Sequence, residues 1–145
     1  MIISSRASIS ALDAASKDLS IRASNIANQR TSAPVDTVEI SAAAQAAAAN
    51  AEDGDESVFR PLQVSNVSVS GGGVQAVVRE KTPSHQIVHN PDDPKASTDG
   101  MVAMPKVNIA DELIGMSQAR TMFEANLAMV RAEDEMAGTL LDSKF

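Results

Sequence analysis

The chain has 145 residues, a net charge of −7, no cysteine, tryptophan or tyrosine, and three phenylalanines, Phe59, Phe123 and Phe145. Without cysteine there is no disulfide framework and no thiolate metal site. With charges of +2, −6, 0 and −3 over residues 1–31, 32–59, 60–105 and 106–145, no block carries the basic footprint of a nucleic-acid or anionic-membrane binder.

Aromatic side chains dominate most cores, so their scarcity predicts a chain that completes part of its core against other chains. The opening "MIISSRASIS" lacks the apolar core of a cleaved signal peptide, and no apolar run reaches membrane-spanning length. The protein therefore stays in the cytosol or leaves by a route that reads something else. Over residues 1–30, Ile2, Ile9, Ser16 and Ala23 recur every seven residues, as do Ser5, Leu12, Leu19 and Ile26. This 3-4 spacing predicts a long helix with one narrow apolar seam. The helix runs into Asn25 and Asn28, then Thr31 and Pro34. Asparagine tolerates the left-handed conformation of a helix C-terminus, and its amide can bond free carbonyls or turn backbone. On spacing alone, the plain reading is that Asn25 and Asn28 only cap the helix.

Residues 31–58 change character. A short extended piece is expected around Val38 and Ile40. The alanine-rich "SAAAQAAAAN" of 41–50 reads as a short helix or a mobile tract, followed by the acidic "AEDGDES". From 58 to 81 the period becomes two, with Val64, Val67 and Val69 before "GGG" at 71–73 and "VQAVVREK" after it, the signature of a β-hairpin. The triple glycine lacks the Lys-Ser/Thr pair and following helix of a phosphate loop. "SHQIVHNP" reads as a third strand, "NPDDPKASTDG" at 90–100 as a loop rich in turn residues, and "MVAMP" at 101–105 as a last extended piece.

A second long helix is predicted from Val107 onward. Ile109, Met116, Phe123, Val130 and Ala137 repeat every seven residues, as do Leu113, Arg120, Leu127, Asp134 and Leu141, with Met122, Met129 and Met136 on the flank. The face is wider than a dimer seam and able to meet more than one neighbour. A methionine-rich core stripe packed only on the first helix is the alternative. The fold class is thus α+β: two long, coiled-coil-like terminal α-helices with a small antiparallel β domain inserted between them. Its expected divisions are 1–30 (helix), 31–58 (variable linker), 59–105 (β domain) and 106–145 (helix).

Little points to chemistry. His85 and His89 are four apart near Asp92 and Asp93, but Pro83 and Pro91 bracket them and disfavour the helix that would aim both at one metal. Acidic clusters at 52–56 and 133–135 read as solvated faces. The expectation is no enzyme, no metal, no cofactor, no small-molecule substrate and no nucleic acid.

Three segments resemble the flagellar basal-body rod proteins, most closely the small proximal-rod type called FlgC. "ALDAASKDLSIRASNIANQRT" at 11–31 is similar to the N-terminal signature of axial proteins, with its core at Ser24, Asn25, Ile26, Ala27 and Asn28. "VHNPDDPKASTDGMVAMPKVNIADELIGM" at 88–116 resembles the stretch particular to that type. "ARTMFEANLAMVRAEDEM" at 119–136 is similar to the C-terminal helix of the family, and "FRP" at 59–61 fits the start of the β region. Phe59, His89, Met101 and Phe123 stand where the family usually has tyrosine, Lys106 where it has asparagine, and 41–51 looks like an insertion.

The resemblance implies a structural subunit of the proximal rod. It implies export through the flagellar type III apparatus without a cleaved signal, and helical assembly in the periplasm with other copies and other rod proteins to transmit torque. The family's terminal helices line the inner tube and the insert faces outward. The residues expected to make the inter-subunit helix contacts are Ile9, Leu12, Leu19, Ile26, Ile109, Leu113, Met116, Phe123, Leu127 and Val130. The corner 24–28 is where the chain leaves the tube wall, its Asn25 and Asn28 amides bonded to backbone or to a neighbour. The rival expectation is a self-contained helical-hairpin adaptor.

Overall fold

Residues 2–28 contain neither glycine nor proline, and helix α1 runs unbroken over Ile2–Asn28, a length of roughly 40 Å at 1.5 Å per residue. The computed structural model describes residues 2–36 and 58–142. After α1 come strands β1 (Leu62–Ser68), β2 (Val74–Glu80), β3 (His85–His89) and β4 (Met101–Pro105), then helix α2 (Ile109–Asp142). This is the α+β arrangement expected, two terminal helices around a small antiparallel-strand region. The strands form two separate pairs, β1 with β2 and β3 with β4, rather than one sheet. The extended piece expected at Val38 and Ile40 and the alanine-rich tract lie outside the described residues.

The chain divides into two compact units. The first takes in Met1–Ser24, Leu62–Arg79 and Ile109–Phe145, the second Asn25–Pro61 and Glu80–Asn108. In the first, the turn between β1 and β2 is made by Gly71, Gly72 and Gly73, with φ of 98°, 92° and 102°. Three successive positive φ values are open only to glycine without strain. The turn closes through Val69, whose N–H donates to the Gly73 carbonyl at 3.1 Å and whose carbonyl accepts from the Gly72 N–H at 3.1 Å. Among the described residues, the buried apolar side chains of this unit are Ala14, Ala15 and Ala119.

The second unit is organised on β4. It pairs antiparallel with β3 in a register running from His85 opposite Pro105 to His89 opposite Met101. On its other edge, Ala33 and Ala103 exchange both backbone hydrogen bonds at 3.0 Å. Successive strand residues face opposite sides, yet Val102 and Ala103 are both fully buried. So β4 is the central, doubly covered strand, which is why "MVAMP" reads as a continuous apolar run rather than an alternation. The 90–100 loop is held by its own polar groups. The Lys95 N–H donates to Asp93 Oδ1 at 2.9 Å, the Met101 N–H to Ser97 Oγ at 3.2 Å, and the Asn90 N–H to the Gly100 carbonyl at 2.8 Å.

α1 ends without the left-handed asparagine that the sequence allows. No residue other than glycine has a positive φ among the described residues, so no left-handed asparagine stops the helix. Instead Thr31 turns back on Asn28, whose carbonyl accepts from the Thr31 N–H at 3.1 Å and from its Oγ1 at 2.8 Å. A threonine hydroxyl and a turn satisfy the terminal carbonyl without the αL conformation. α2 starts after Asn108, a residue type favoured at N-caps. Its first turn carries Asp111 and Glu112, where negative charge meets the positive end of the helix dipole.

Candidate assembly surface

The two helices of the first unit turn small and polar residues inward. On α1 the buried residues include Ser8, Ala14 and Ala15; on α2 they are Glu112, Gly115 and Ala119. Arg22 joins them. Its Nε lies 2.9 Å from Asp18 Oδ1 one turn earlier, and its Nη1 lies 3.2 Å from Glu112 Oε2. The Glu112 side chain is only 5% exposed and that of Arg22 28%. The guanidinium lies over Gly115, where any Cβ would collide with it. A planar fork of donors can engage two carboxylates at once, which an ammonium cannot do as well.

Ser10 makes the corresponding link to the β-hairpin. Its Oγ donates to the Ala7 carbonyl at 2.8 Å and accepts from the Val74 N–H at 3.1 Å. Gly73 comes so close that a Cβ there would stand 2.5 Å from Ser10 Oγ. Sequence reasoning missed Ser10, Arg22, Glu112, Gly73 and Gly115 as contact makers. Only the Asp18–Arg22 pair, at i and i+4, left a local signal.

The apolar residues expected on the contact faces lie elsewhere. Ile9, Ile109 and Leu113 are exposed. Leu12, Leu19, Ile26, Met116, Phe123, Leu127 and Val130 are half-buried, and none of the ten is buried. From Arg120 to Asp142 α2 has no buried residue at all. Met122, Met129, Met136, Leu140 and Leu141 are exposed there, Leu141 to 66%. The polar side chains of this stretch return to their own helix. Asn126 Nδ2 donates to the Met122 carbonyl at 2.7 Å, Thr139 Oγ1 to the Glu135 carbonyl at 2.9 Å, and Arg120 Nε pairs with Glu124 at 2.8 Å. Several polar groups of this stretch of α2 are thus satisfied within the helix, while Met122, Met129, Met136, Leu140 and Leu141 are exposed.

Of the corner residues, Ser24 and Ala27 are exposed, Ile26 and Asn28 half-buried, and Asn25 is 1% exposed. At Asn28 the main-chain carbonyl anchors the turn to Thr31. His85 and His89 occupy the two ends of β3. Ser84 Oγ lies 3.1 Å from His85 Nδ1, and no group of three or more metal-ligating side chains comes together among the described residues. No helix among them is long and apolar enough to cross a membrane.

A family model described as the flagellar basal body rod FlgEFG protein C-terminal region matches residues 98–143. Flagellar basal-body rod protein FlgC of Agrobacterium fabrum is 35% identical over 54 residues, covering 37% of this chain and 39% of that relative. Flagellar basal-body rod protein FlgC of Salmonella typhimurium is 28% identical over 127 residues, 88% of this chain and 85% of the relative, and that of Salmonella typhi matches to the same extent. The family match takes in β4 and the whole of α2, and α2 carries most of the exposed large apolar side chains among the described residues.

Proposed function

We propose that this chain is a flagellar basal-body rod protein of the FlgC type, built into the rod through the apolar faces that its two terminal helices leave uncovered; the similarity to the rod proteins supports the reading. Its role in the basal body is structural. The observation that carries the reading is the second two-thirds of α2, with no buried residue from Arg120 to Asp142 and a row of exposed methionines and leucines. Exposed apolar surface of this extent marks an interaction site. The contact residues are Ile9, Leu12, Leu19, Ile26, Ile109, Leu113, Met116, Phe123, Leu127 and Val130, and the occupants are other copies of the chain and other rod proteins. Ser24, Asn25, Ile26, Ala27 and Asn28 form the corner where α1 gives way to the rest of the chain.

In this account the subunits meet by heterologous contacts that do not close on themselves, which generates a helical tube. Many small helix contacts then give a shaft stiff enough to carry torque. Delivery is by the flagellar export apparatus, and a core of alanines with so few aromatic side chains suits a chain that must pass unfolded. The self-contained adaptor would need the large apolar residues turned between α1 and α2. What argues against it is that Arg22 and Glu112 join those helices by an ion pair over a glycine.

Leu113→Glu tests the reading. Leu113 is 54% exposed, so the charge costs the isolated subunit little. The expected outcome is normal export with the variant missing from purified basal bodies. Incorporation at the wild-type level would contradict it.

A further inference from the structure

We infer that Met122, Met129 and Met136 form an oxidation-sensitive stripe on the unassembled subunit, and that their conversion to sulfoxides blocks the helix contact. The inference rests on the assembly reading above. The three recur every seven residues on α2 and expose 49%, 54% and 52% of their surface. Met101, Met104 and Met116 are half-buried. The chain has no cysteine, tryptophan or tyrosine to intercept an oxidant first, which leaves the exposed thioethers as its most readily oxidised side chains.

The chemistry needs a peroxide as co-reactant. The sulfur lone pair attacks one peroxide oxygen, an S–O bond forms and the O–O bond breaks. The methionine is oxidised to the sulfoxide, and the second oxygen leaves as water with both peroxide protons. Each sulfoxide puts a polar, chiral group where the helix offers an apolar one. Seven-residue spacing puts all three on one line of contact, so a neighbouring helix meets every one of them. Burying a polar group without a partner is costly, and three together oppose association. Once assembled, the stripe is covered and the sulfurs are out of reach.

The test uses the purified full chain and dilute hydrogen peroxide. Peptide-resolved mass spectrometry follows the gain of about 16 Da per sulfur, and sedimentation at high protein concentration follows self-association. The expected result is oxidation of Met122, Met129 and Met136 several-fold faster than of Met101, Met104 and Met116, and association weakened by at least about tenfold. The triple variant Met122→Leu, Met129→Leu, Met136→Leu keeps the apolar face and is expected to associate equally before and after peroxide. Uniform oxidation of all six sites, or an oxidised wild-type chain that associates as well as the untreated one, overturns the inference. An untreated chain that never associates also overturns the inference, whereas failure of the assembly reading shows separately, as incorporation of Leu113→Glu into basal bodies at the wild-type level.

Discussion

Arg22 sits inside a segment whose heptad pattern reserves the contact line for apolar residues, and it makes the best-defined link between the helices of its unit. Its guanidinium answers Asp18 at 2.9 Å and Glu112 at 3.2 Å. Removing one partner of a buried pair takes its compensating charge away from the other, and Glu112 is the more deeply buried of the two. Arg22→Ala is therefore expected to destabilise the isolated chain by about 2–3 kcal/mol in urea unfolding, below the full value for a wholly buried pair because the guanidinium is partly solvated. Arg22→Lys is expected to recover only part of that. A loss under about 0.5 kcal/mol for Arg22→Ala would show that the pair is a surface contact of no consequence. The sequence shows the Asp18 half of this arrangement, since i and i+4 share a helix face. It hides the Glu112 half, which comes from 90 residues further along the chain. His89 and Met101, two of the places where the family resemblance calls for tyrosine, are cross-strand partners in the β3–β4 register. The two departures are thus one local change in one pair, with Gly100 packed against the His89 ring.

At the scale of elements, the hairpin and the long helices were legible because their signals are local. Glycine punctuation at 71–73 and alternating valines mark β1 and β2, and seven-residue repeats mark α1 and α2. What was not legible is how elements touch. The triple glycine reads as a turn, and nothing in the sequence says that Gly73 also packs against Ser10 of α1. Gly73→Val tests that seating. It adds a side chain at a φ of +102° and drives it into Ser10 Oγ, where the Val74 N–H now donates at 3.1 Å. The expected outcome is a loss of about 2–4 kcal/mol in thermal or urea unfolding, from strain at the positive φ together with the displaced hydrogen bond. Gly71→Val, at a similar φ but with nothing within 4 Å of its Cβ, is expected to lose only the strain. Equal losses would show that the approach to α1 contributes nothing. At the end of α1 the sequence points to Asn25 and Asn28, and the structure adds Thr31, whose hydroxyl and N–H both bond the Asn28 carbonyl. Both residue types favour helix ends, and only the geometry distinguishes them.

For the whole molecule, composition was the most informative signal. Few aromatics and many alanines predict a chain that buries small residues within itself and keeps its larger ones for others. Ala14, Ala15, Ala33, Ala103 and Ala119 are buried, while Ile9, Leu113, Ile114, Met122, Met129 and Met136 are exposed. The seven-residue period showed which residues share a face but not which face is turned inward, since a repeat on a single helix carries no information about its neighbour. That choice fell to the small and charged residues, which leaves the apolar stripes of α2 uncovered. The most direct test is hydrogen exchange, peptide by peptide, on the purified chain and on the same chain within isolated basal bodies. The account predicts fast exchange over 120–142 in the free chain, protection over β3 and β4 in both states, and strong protection of 120–142 only after assembly. Equal protection of 120–142 in the free chain and in the basal body would mean that the helix already has its partner, and would contradict assembly through that face.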